Sequence, residues 1–169
     1  VVKDLDENGN IVDVLMKEFI TLFPNSNKVA AAYFYTANYY VLQGDFLLAL
    51  ITYKNMDTSS LNEDEKEEYN YKLGYCYFLN NDKTKAKVCF EKVKDTGGKY
   101  SSAAKYYYAH ILYTEGSYNL ALKEFEDLKK DRKFGKIVPY YICQIYYFQE
   151  NYPKLIEMAP TLSENAINS

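Results

Sequence analysis

The stretch YSSAAKYYYAHILYTEGSYNLALKEF, residues 100–125, decides the fold because its pattern recurs along the chain. It contains the only histidine and six of the twenty tyrosines. Small residues, large residues and a turn follow one another in a fixed order. Copies of this order begin near Ala30, Glu67, Ser102 and Lys136, at intervals of 37, 35 and 34 residues. The chain is therefore built from repeats.

A period near 34 residues is the length of one helix–turn–helix unit. Gly44 in QGDF and Gly116 in EGSY stand where the first helix of a unit must end, because glycine accepts the positive φ of that position. Small residues such as Ala37 and Ala49 let two antiparallel helices approach closely. The pattern predicts an all-α solenoid of antiparallel helix pairs.

Several residues predict where helices begin. Ser60 and Glu63 in SLNE have the spacing of a capping box. Ser101 is placed to cap the next copy, and Pro139 falls in the first turn of the last copy, where its missing N–H matters little. The second helix of the last copy, PKLIEMAP, lacks the repeated alanine and aromatic residue, so we expect it to be degenerate.

A partial repeat precedes the first full copy. Within residues 11–28, Val12, Met16 and Phe19 form one apolar helical face, as expected for the second helix of an earlier unit. We therefore expect a segment of a longer solenoid, whose apolar ends allow weak self-association. The predicted divisions of this single domain are a half repeat at 1–29 and repeats at 30–66, 67–101, 102–135 and 136–169.

The period, the small–large order and the Gly-Asp/Ser-aromatic turn resemble the tetratricopeptide repeat (TPR) over residues 30–163. Asn70 and Lys105 depart from it by replacing an aromatic residue, and Asn81 by replacing the turn glycine. The resemblance implies a right-handed superhelix of about four repeats plus a leading half repeat.

Some stretches, such as YKLGYCYF and KIVPYYICQIYYFQENYPKLIE, resemble segments of large exported TPR envelope proteins of Bacteroidetes. This second resemblance implies a periplasmic or outer-membrane-associated parent protein.

The TPR resemblance also implies which side chains line a concave groove. In TPR arrays, fixed positions of the first helix face that groove and bind the partner. Carried over to this chain, these positions give Phe34, Asn38, Tyr71, Tyr75, Phe78, Tyr106, His110, Tyr113, Tyr140, Gln144 and Tyr147. The implied surface is aromatic, and aromatic rings give large contact area at low entropic cost. It lacks the cations that clamp an acidic C-terminal tail.

Composition excludes several classes of protein. The chain is 48% hydrophobic and 25% charged, which is ordinary for a folded domain, and its net charge of −3 argues against a broad nucleic-acid surface. Residues 82–136 are mildly basic, which a solvated helix face explains. Cys76, Cys89 and Cys143 have no CxxC spacing and are expected to be buried free thiols.

No motif indicates catalysis, a metal or a cofactor. The chain contains no P-loop, GxGxxG, HExxH or nucleophile motif, and His110 has no second ligand at a suitable spacing. The predicted function is therefore a non-enzymatic protein–protein interaction scaffold that binds a peptide or helix in its groove. The alternative is a structural spacer whose groove is filled by another part of the same protein. Glycan binding by aromatic stacking is the least favoured option.

Overall fold

A computed structural model of the chain describes residues 11–167, except for the side chains of residues 11, 12, 161 and 163–167. The rest of the predicted half repeat, the Val12 side chain and the last two residues lie outside this description. The described residues form helices and no strand. The helices are α1 (Ile11–Leu22), α2 (Val29–Gln43), α3 (Phe46–Lys54), α4 (Glu63–Leu79), α5 (Lys83–Glu91), α6 (Ser101–Thr114), α7 (Tyr118–Asp127), α8 (Val138–Phe148) and α9 (Tyr152–Ile167).

The chain divides into two compact units, Val1–Ala86 and Lys87–Ser169. In the first unit α1 packs against α2, α2 against α3, and α3 against α4. In the second unit α6 packs against α7, α7 against α8, and α8 against α9. Within each unit these helices pack against their neighbours in sequence, as the predicted solenoid of helix pairs requires.

Four turns connect the two helices of a pair with the same backbone geometry. Gly44 and Gly116 have positive φ angles of 79° and 76°, as predicted, and Asn81 and Glu150 adopt 62° and 55° at the matching positions. In each turn the N–H of the next residue donates to the carbonyl five residues before it, at 2.8 or 2.9 Å. This bond satisfies a carbonyl that the end of the helix would otherwise leave without a donor.

The capping box of α4 lies two residues later than predicted. The Asn62 side chain accepts from the Glu65 N–H at 2.9 Å, and the Glu65 carboxylate accepts from the Asn62 N–H at 2.9 Å. The assignment to Ser60 and Glu63 was therefore wrong. Both pairs have capping-box spacing, and the buried Leu61 keeps the chain outside the helix until Asn62.

The predicted cap of α6 was also wrong. Ser101 is the first residue of the helix, and its hydroxyl donates to the Lys94 carbonyl at 2.8 Å rather than capping the helix. Pro139 lies in the first turn of α8, as predicted, where it removes no intrahelical hydrogen bond.

Small residues lie at the contacts between paired helices. Ala37 and Ala49 in the first unit, and Ala109 and Ala121 in the second, are fully buried. The absence of larger side chains lets the helix axes approach closely. In the second unit the surrounding core consists of Leu112, Phe125, Leu128, Phe134, Val138, Ile142, Ile145 and Tyr146.

The last helix forms although its sequence departs from the repeat. Leu155 and Met158 of α9 pack partly against the core of the second unit, which supplies an apolar face without the repeated alanine and aromatic residue. Pro160 lies inside this helix.

Lys105, one of the departures from the TPR pattern, has a structural role. Its ammonium lies 2.9 Å from Asp127 of α7 and 3.0 Å from Asp95. Lys94 lies 3.0 Å from the buried carboxylate of Glu124. These pairs attach the connection before α6 to α7, and they account for part of the charge in the basic middle of the chain.

The three cysteines are buried free thiols, as predicted. Burial raises the pKa of Cys76 to about 12, so its thiol stays protonated and unreactive at neutral pH. Among the described helices, none is long and apolar enough to span a membrane.

Candidate functional site

The predicted groove residues fall into two groups, one in each unit. Asn38, Tyr71, Tyr75 and Phe78, on α2 and α4, form what we call the first-unit face. The second-unit face lies on α6 and α8 and consists of Tyr106, His110, Tyr113, Tyr140, Gln144 and Tyr147. The eleventh predicted residue, Phe34, behaves differently.

Phe34 belongs to the core. Its side chain is only 8% exposed, and its ring lies edge-on to the buried ring of Tyr53, with the centroids 6.4 Å apart. Burying a phenyl ring stabilises a fold by roughly 1.5–3 kcal/mol. This gain favours a buried Phe34, although the same position faces the groove in TPR arrays. Phe34 therefore does not line an open surface, and its assignment to the groove is corrected.

On the first-unit face, α4 holds its tyrosines in a packed arrangement. The rings of Tyr71 and Tyr75, one helical turn apart, are nearly parallel with centroids 6.3 Å apart. Phe46 packs perpendicular to Tyr75 at 5.9 Å. Phe78 is half-buried beside them on the same helix. These contacts fix the rings in place and leave part of each exposed.

Asn38 forms a polar centre in the first unit. Its side-chain oxygen accepts from the Tyr53 hydroxyl at 2.6 Å and from the Lys72 ammonium at 2.8 Å. Lys72 also pairs with Glu68 at 2.5 Å. The Asn38 carbonyl thus stabilises the unit, which reduces its capacity to bind a partner.

The second-unit face rests on a cluster of stacked rings. Tyr106 lies parallel to the buried Phe134 with centroids 4.6 Å apart, and its hydroxyl lies 3.3 Å from that of Tyr141. Burial, with a smaller effect of the Tyr141 hydrogen bond, raises the pKa of Tyr106 well above its ordinary value. The hydroxyl is therefore neutral at every physiological pH.

Tyr141 is the centre of this cluster. Its ring is parallel to Phe125 at 5.0 Å and lies edge-on to His110 at 5.6 Å and to Tyr113 at 5.3 Å. Tyr141 is not among the groove residues predicted from the sequence. Tyr141 occupies the position that Lys72 has in its own repeat, one residue after an implied groove position. Its place next to the predicted groove residue Tyr140 was the one feature of the sequence that could have indicated it.

Phe134 was missed as well. It is the only aromatic residue in the charged connection KKDRKFGK, and an isolated ring in such a segment indicates an anchor. Its burial beneath Tyr106 shows that this connection is fixed to the aromatic face.

The open part of the second-unit face lies on α8. Tyr140 and Tyr147 are 43% and 60% exposed, and Gln144 is exposed between them. Together with the exposed Ile137 they share one side of the helix, which we call the α8 stripe. The Tyr113 hydroxyl donates to the Gln144 side-chain oxygen at 2.8 Å, which leaves the amide N–H groups of Gln144 to donate to a ligand.

The stripe itself carries no charged side chain. Within the described residues, no group of three or more His, Cys, Asp or Glu side chains is arranged to hold a metal ion. His110 contributes to the second unit through its ring contacts with Tyr106, Tyr113 and Tyr141. The second-unit face is therefore suited to binding a partner through ring contacts and hydrogen bonds.

No protein-family model and no curated protein matches the chain. Solved structures do match. YrrB, described as a TPR protein with an unusual peptide-binding site, is 16% identical, with a TM-score of 0.73, over 94% of this chain and 79% of YrrB. MamA is 14% identical, with a TM-score of 0.71, over 98% of this chain and 97% of MamA.

A third match is a putative kinesin light chain from Podosopora anserina with nearly identical TPR-like repeats. It is 12% identical, with a TM-score of 0.65, over 96% of this chain and 90% of the other. Identities this low establish the fold and no more. The chain therefore has the tetratricopeptide-repeat fold, as its repeated residues predicted.

Proposed function

We propose that this chain is a non-enzymatic protein-interaction scaffold that binds a peptide or helix on its aromatic faces. The observation that carries the proposal is the α8 stripe, where Tyr140, Gln144 and Tyr147 are exposed above a packed aromatic cluster. Aromatic side chains give large contact area and lose little rotamer entropy when a partner binds. The exposed amide supplies a hydrogen-bonding group that can orient a peptide backbone.

The fold supports the same function. Solenoids present extended surfaces, and interaction with proteins is the common use of such surfaces. YrrB, which shares the fold, is described as having a peptide-binding site. The comparison between two chains at 16% identity is an analogy, so the proposal rests on the residues of the stripe.

Selection of peptides from a displayed random library tests the proposal. We expect the chain to enrich particular peptides, and we expect a Tyr140→Ala/Tyr147→Ala variant to bind them roughly 30-fold more weakly, the size of effect that buried aromatic contacts give. Tyr152→Ala is the matched control, because Tyr152 is 51% exposed on α9 but lies off the stripe. Circular dichroism and urea unfolding verify that all variants fold.

Failure to enrich any peptide would favour the spacer alternative, in which another part of the same protein covers the face. Tyrosine-directed labelling of the full-length protein and of this segment separates the two cases. Protection of Tyr140 and Tyr147 only in the full-length protein supports the spacer, and equal labelling rejects it. A glycan array that yields a reproducible ligand would instead favour glycan binding.

We also propose a periplasmic or outer-membrane location for the parent protein, on the strength of the resemblance to exported envelope TPR proteins. Cell fractionation followed by detection of the protein tests this proposal, and recovery in the cytoplasmic fraction would contradict it. Weak self-association stays a prediction that light scattering over a range of concentrations can check.

A further inference from the structure

A strongly basic connection precedes the α8 stripe. This basic loop, residues 128–137, carries Lys129, Lys130, Arg132, Lys133 and Lys136 and a single acidic residue, Asp131. Lys129 pairs with Glu126 of α7 at 2.6 Å. Lys130, Arg132 and Lys133 are exposed and form no ion pair with another segment of the described chain. The loop thus presents net positive charge to solvent.

Asp131 offsets only one of the five positive charges of the loop, and its carboxylate also holds the loop together. It accepts from the backbone N–H groups of Lys133 at 2.8 Å and Phe134 at 2.9 Å. Partial burial raises the pKa of Asp131, but these bonds and one from Ser102 lower it further, so its pKa lies below the ordinary value. The acidic residue therefore shapes the loop, and the exposed Lys130, Arg132 and Lys133 outnumber it.

The loop has a fixed shape. The Gly135 N–H donates to the Asp131 carbonyl at 2.9 Å, and a Cβ at Gly135 would lie only 2.6 Å from that carbonyl oxygen. Only glycine fits there without a backbone shift. The cations are consequently carried by a rigid turn.

Phe134 joins this turn to the aromatic face. Its buried ring stacks on Tyr106 at 4.6 Å, and the Lys133 ammonium lies 5.2 Å from the centre of the same ring. The Ile137 N–H donates to the Phe134 carbonyl at 2.9 Å, so the loop leads directly into the stripe. Positive charge and aromatic surface are therefore adjacent in one unit.

We propose that the basic loop and the α8 stripe form one site for a peptide with a short apolar segment flanked on one side by acidic residues. The inference rests on the proposed function and specifies its ligand. From Ile137 to Tyr147 the stripe is about 15 Å long at about 1.5 Å per residue. An extended peptide of about five residues covers this distance at roughly 3.3 Å per residue.

Charge sets the orientation of this ligand. The loop at the beginning of α8 is basic, and the helix end there adds a partial positive charge. The other end of α8 is followed by Gln149 and Glu150, which bring no cation. The acidic flank therefore lies at the loop, and the apolar segment extends from it along the stripe.

The cations belong to a connection between helix pairs and not to the implied groove positions of the first helices. An acidic side chain within a peptide satisfies them, so the ligand needs no free C-terminal carboxylate. This arrangement differs from the clamp for acidic C-terminal tails, whose cations are absent from the implied groove positions. It is compatible with an internal segment of a partner protein.

Selection from a displayed library of random peptides of about twelve residues, at about 0.05 M salt, tests the proposal, because exposed charges act over about 10–20 Å under these conditions. We expect the selected peptides to share an apolar segment with Asp or Glu on one side only. A Lys130→Glu/Arg132→Glu/Lys133→Glu variant should bind them about 10-fold or more weakly, and the difference should shrink at about 0.5 M salt.

The matched control is Lys92→Glu/Lys99→Glu/Lys123→Glu, which changes the net charge equally at exposed positions outside the loop. We expect it to alter the affinity by about 2-fold or less. Circular dichroism and urea unfolding confirm that both variants fold.

The outcomes separate the two proposals. Selected peptides without acidic bias, or equal weakening by both triple variants, would overturn this inference and leave the proposed function in place. Absence of any selected peptide would overturn both. Salt-sensitive binding of single-stranded polyuridylate that abolishes peptide binding would also overturn the inference, because the loop would then serve a nucleic acid.

Discussion

In both units the same two repeat positions are in contact, but the contact is polar in the first unit and aromatic in the second. In the first unit Asn38 of α2 meets Lys72 of α4, with the amide oxygen 2.8 Å from the ammonium. In the second unit His110 of α6 meets Tyr141 of α8, with ring centroids 5.6 Å apart. Asn38 and His110 occupy equal positions in their repeats, as do Lys72 and Tyr141. The backbone register is kept, and the side chains differ.

A third position changes with these two. The core residue Tyr53 carries a hydroxyl that donates to Asn38 at 2.6 Å. Its counterpart, Phe125, has no hydroxyl and stacks on Tyr141 at 5.0 Å. A buried polar group is stable only when its partners are present, so the three residues have to match. The comparison teaches that the chemistry beneath each face is set by matched triplets within a constant backbone.

The matched triplet of the second unit predicts the largest effect. Phe125→Ala should lower the free energy of unfolding by about 3–5 kcal/mol, because the fully buried ring leaves a cavity beneath Tyr141. Urea unfolding followed by circular dichroism measures the loss. Phe148→Ala, at an exposed position of the same unit, should cost less than about 1 kcal/mol. Equal losses of unfolding free energy in the two variants would show that the stacked rings stabilise the unit no more than an exposed ring does.

Asn38→Ala tests the polar triplet. The change removes the acceptor of the Tyr53 hydroxyl and of the Lys72 ammonium, so unfolding should become easier by about 1–3 kcal/mol. The loss is smaller than for Phe125→Ala because Lys72 keeps its pair with Glu68. Asn55→Ala, at an exposed position of the same unit, serves as the control in the same urea experiment. Indistinguishable unfolding curves for the two variants would contradict the comparison.

Tyr141→Leu separates ring geometry from apolar burial. Leucine keeps the site apolar but loses the oriented contacts with Phe125, His110 and Tyr113, so the expected loss is about 0.5–1.5 kcal/mol. Tyr141→Phe should be nearly neutral, because the hydroxyl contact with Tyr106 is long at 3.3 Å. If the phenylalanine variant lost as much stability as the leucine variant, the hydroxyl rather than the ring would be decisive.

The smallest expected effect concerns acid and the basic loop. The pKa of Asp131 is below its ordinary value of 3.8 in the folded chain, so the unfolded chain takes up its proton at higher pH. The stabilisation that the Asp131 carboxylate contributes is present above pH 3.8 and is lost as the pH falls through the pKa of Asp131 in the folded chain. The free energy of unfolding of Asp131→Asn should depend less on pH below 4 than that of the parent chain. Identical slopes in urea titrations across this range would exclude Asp131 as a contributor.

The sequence predicted the fold from features that act locally. Gly44, Gly116 and Pro139 determine local backbone geometry, and Ala37 and Ala109 allow close helix packing. The role of each can therefore be predicted from its residue type and its position in the repeat. Start signals were less decisive. Ser60 and Asn62 both satisfy the capping-box rule, and the burial of Leu61 selects between them only in the folded chain.

The faces were only partly predictable for the same reason. Position in the repeat predicted that Tyr140 and Tyr147 face outward, and both are exposed. It failed for Phe34, which packs against Tyr53, and for Tyr141 of α8, which stacks on Phe125 of the neighbouring helix α7. Such contacts join residues distant in sequence, and a repeat pattern carries no information about them.

The turns described above have a consequence for how such repeats diverge. Gly44, Asn81, Gly116 and Glu150 share one backbone conformation, although glutamate has no intrinsic preference for it. The conformation is held by a main-chain hydrogen bond that any residue but proline can donate. Duplicated copies can therefore exchange their signature residues one at a time while their architecture persists. A repeat without the turn glycine can thus keep the turn, as Asn81 and Glu150 do in this chain.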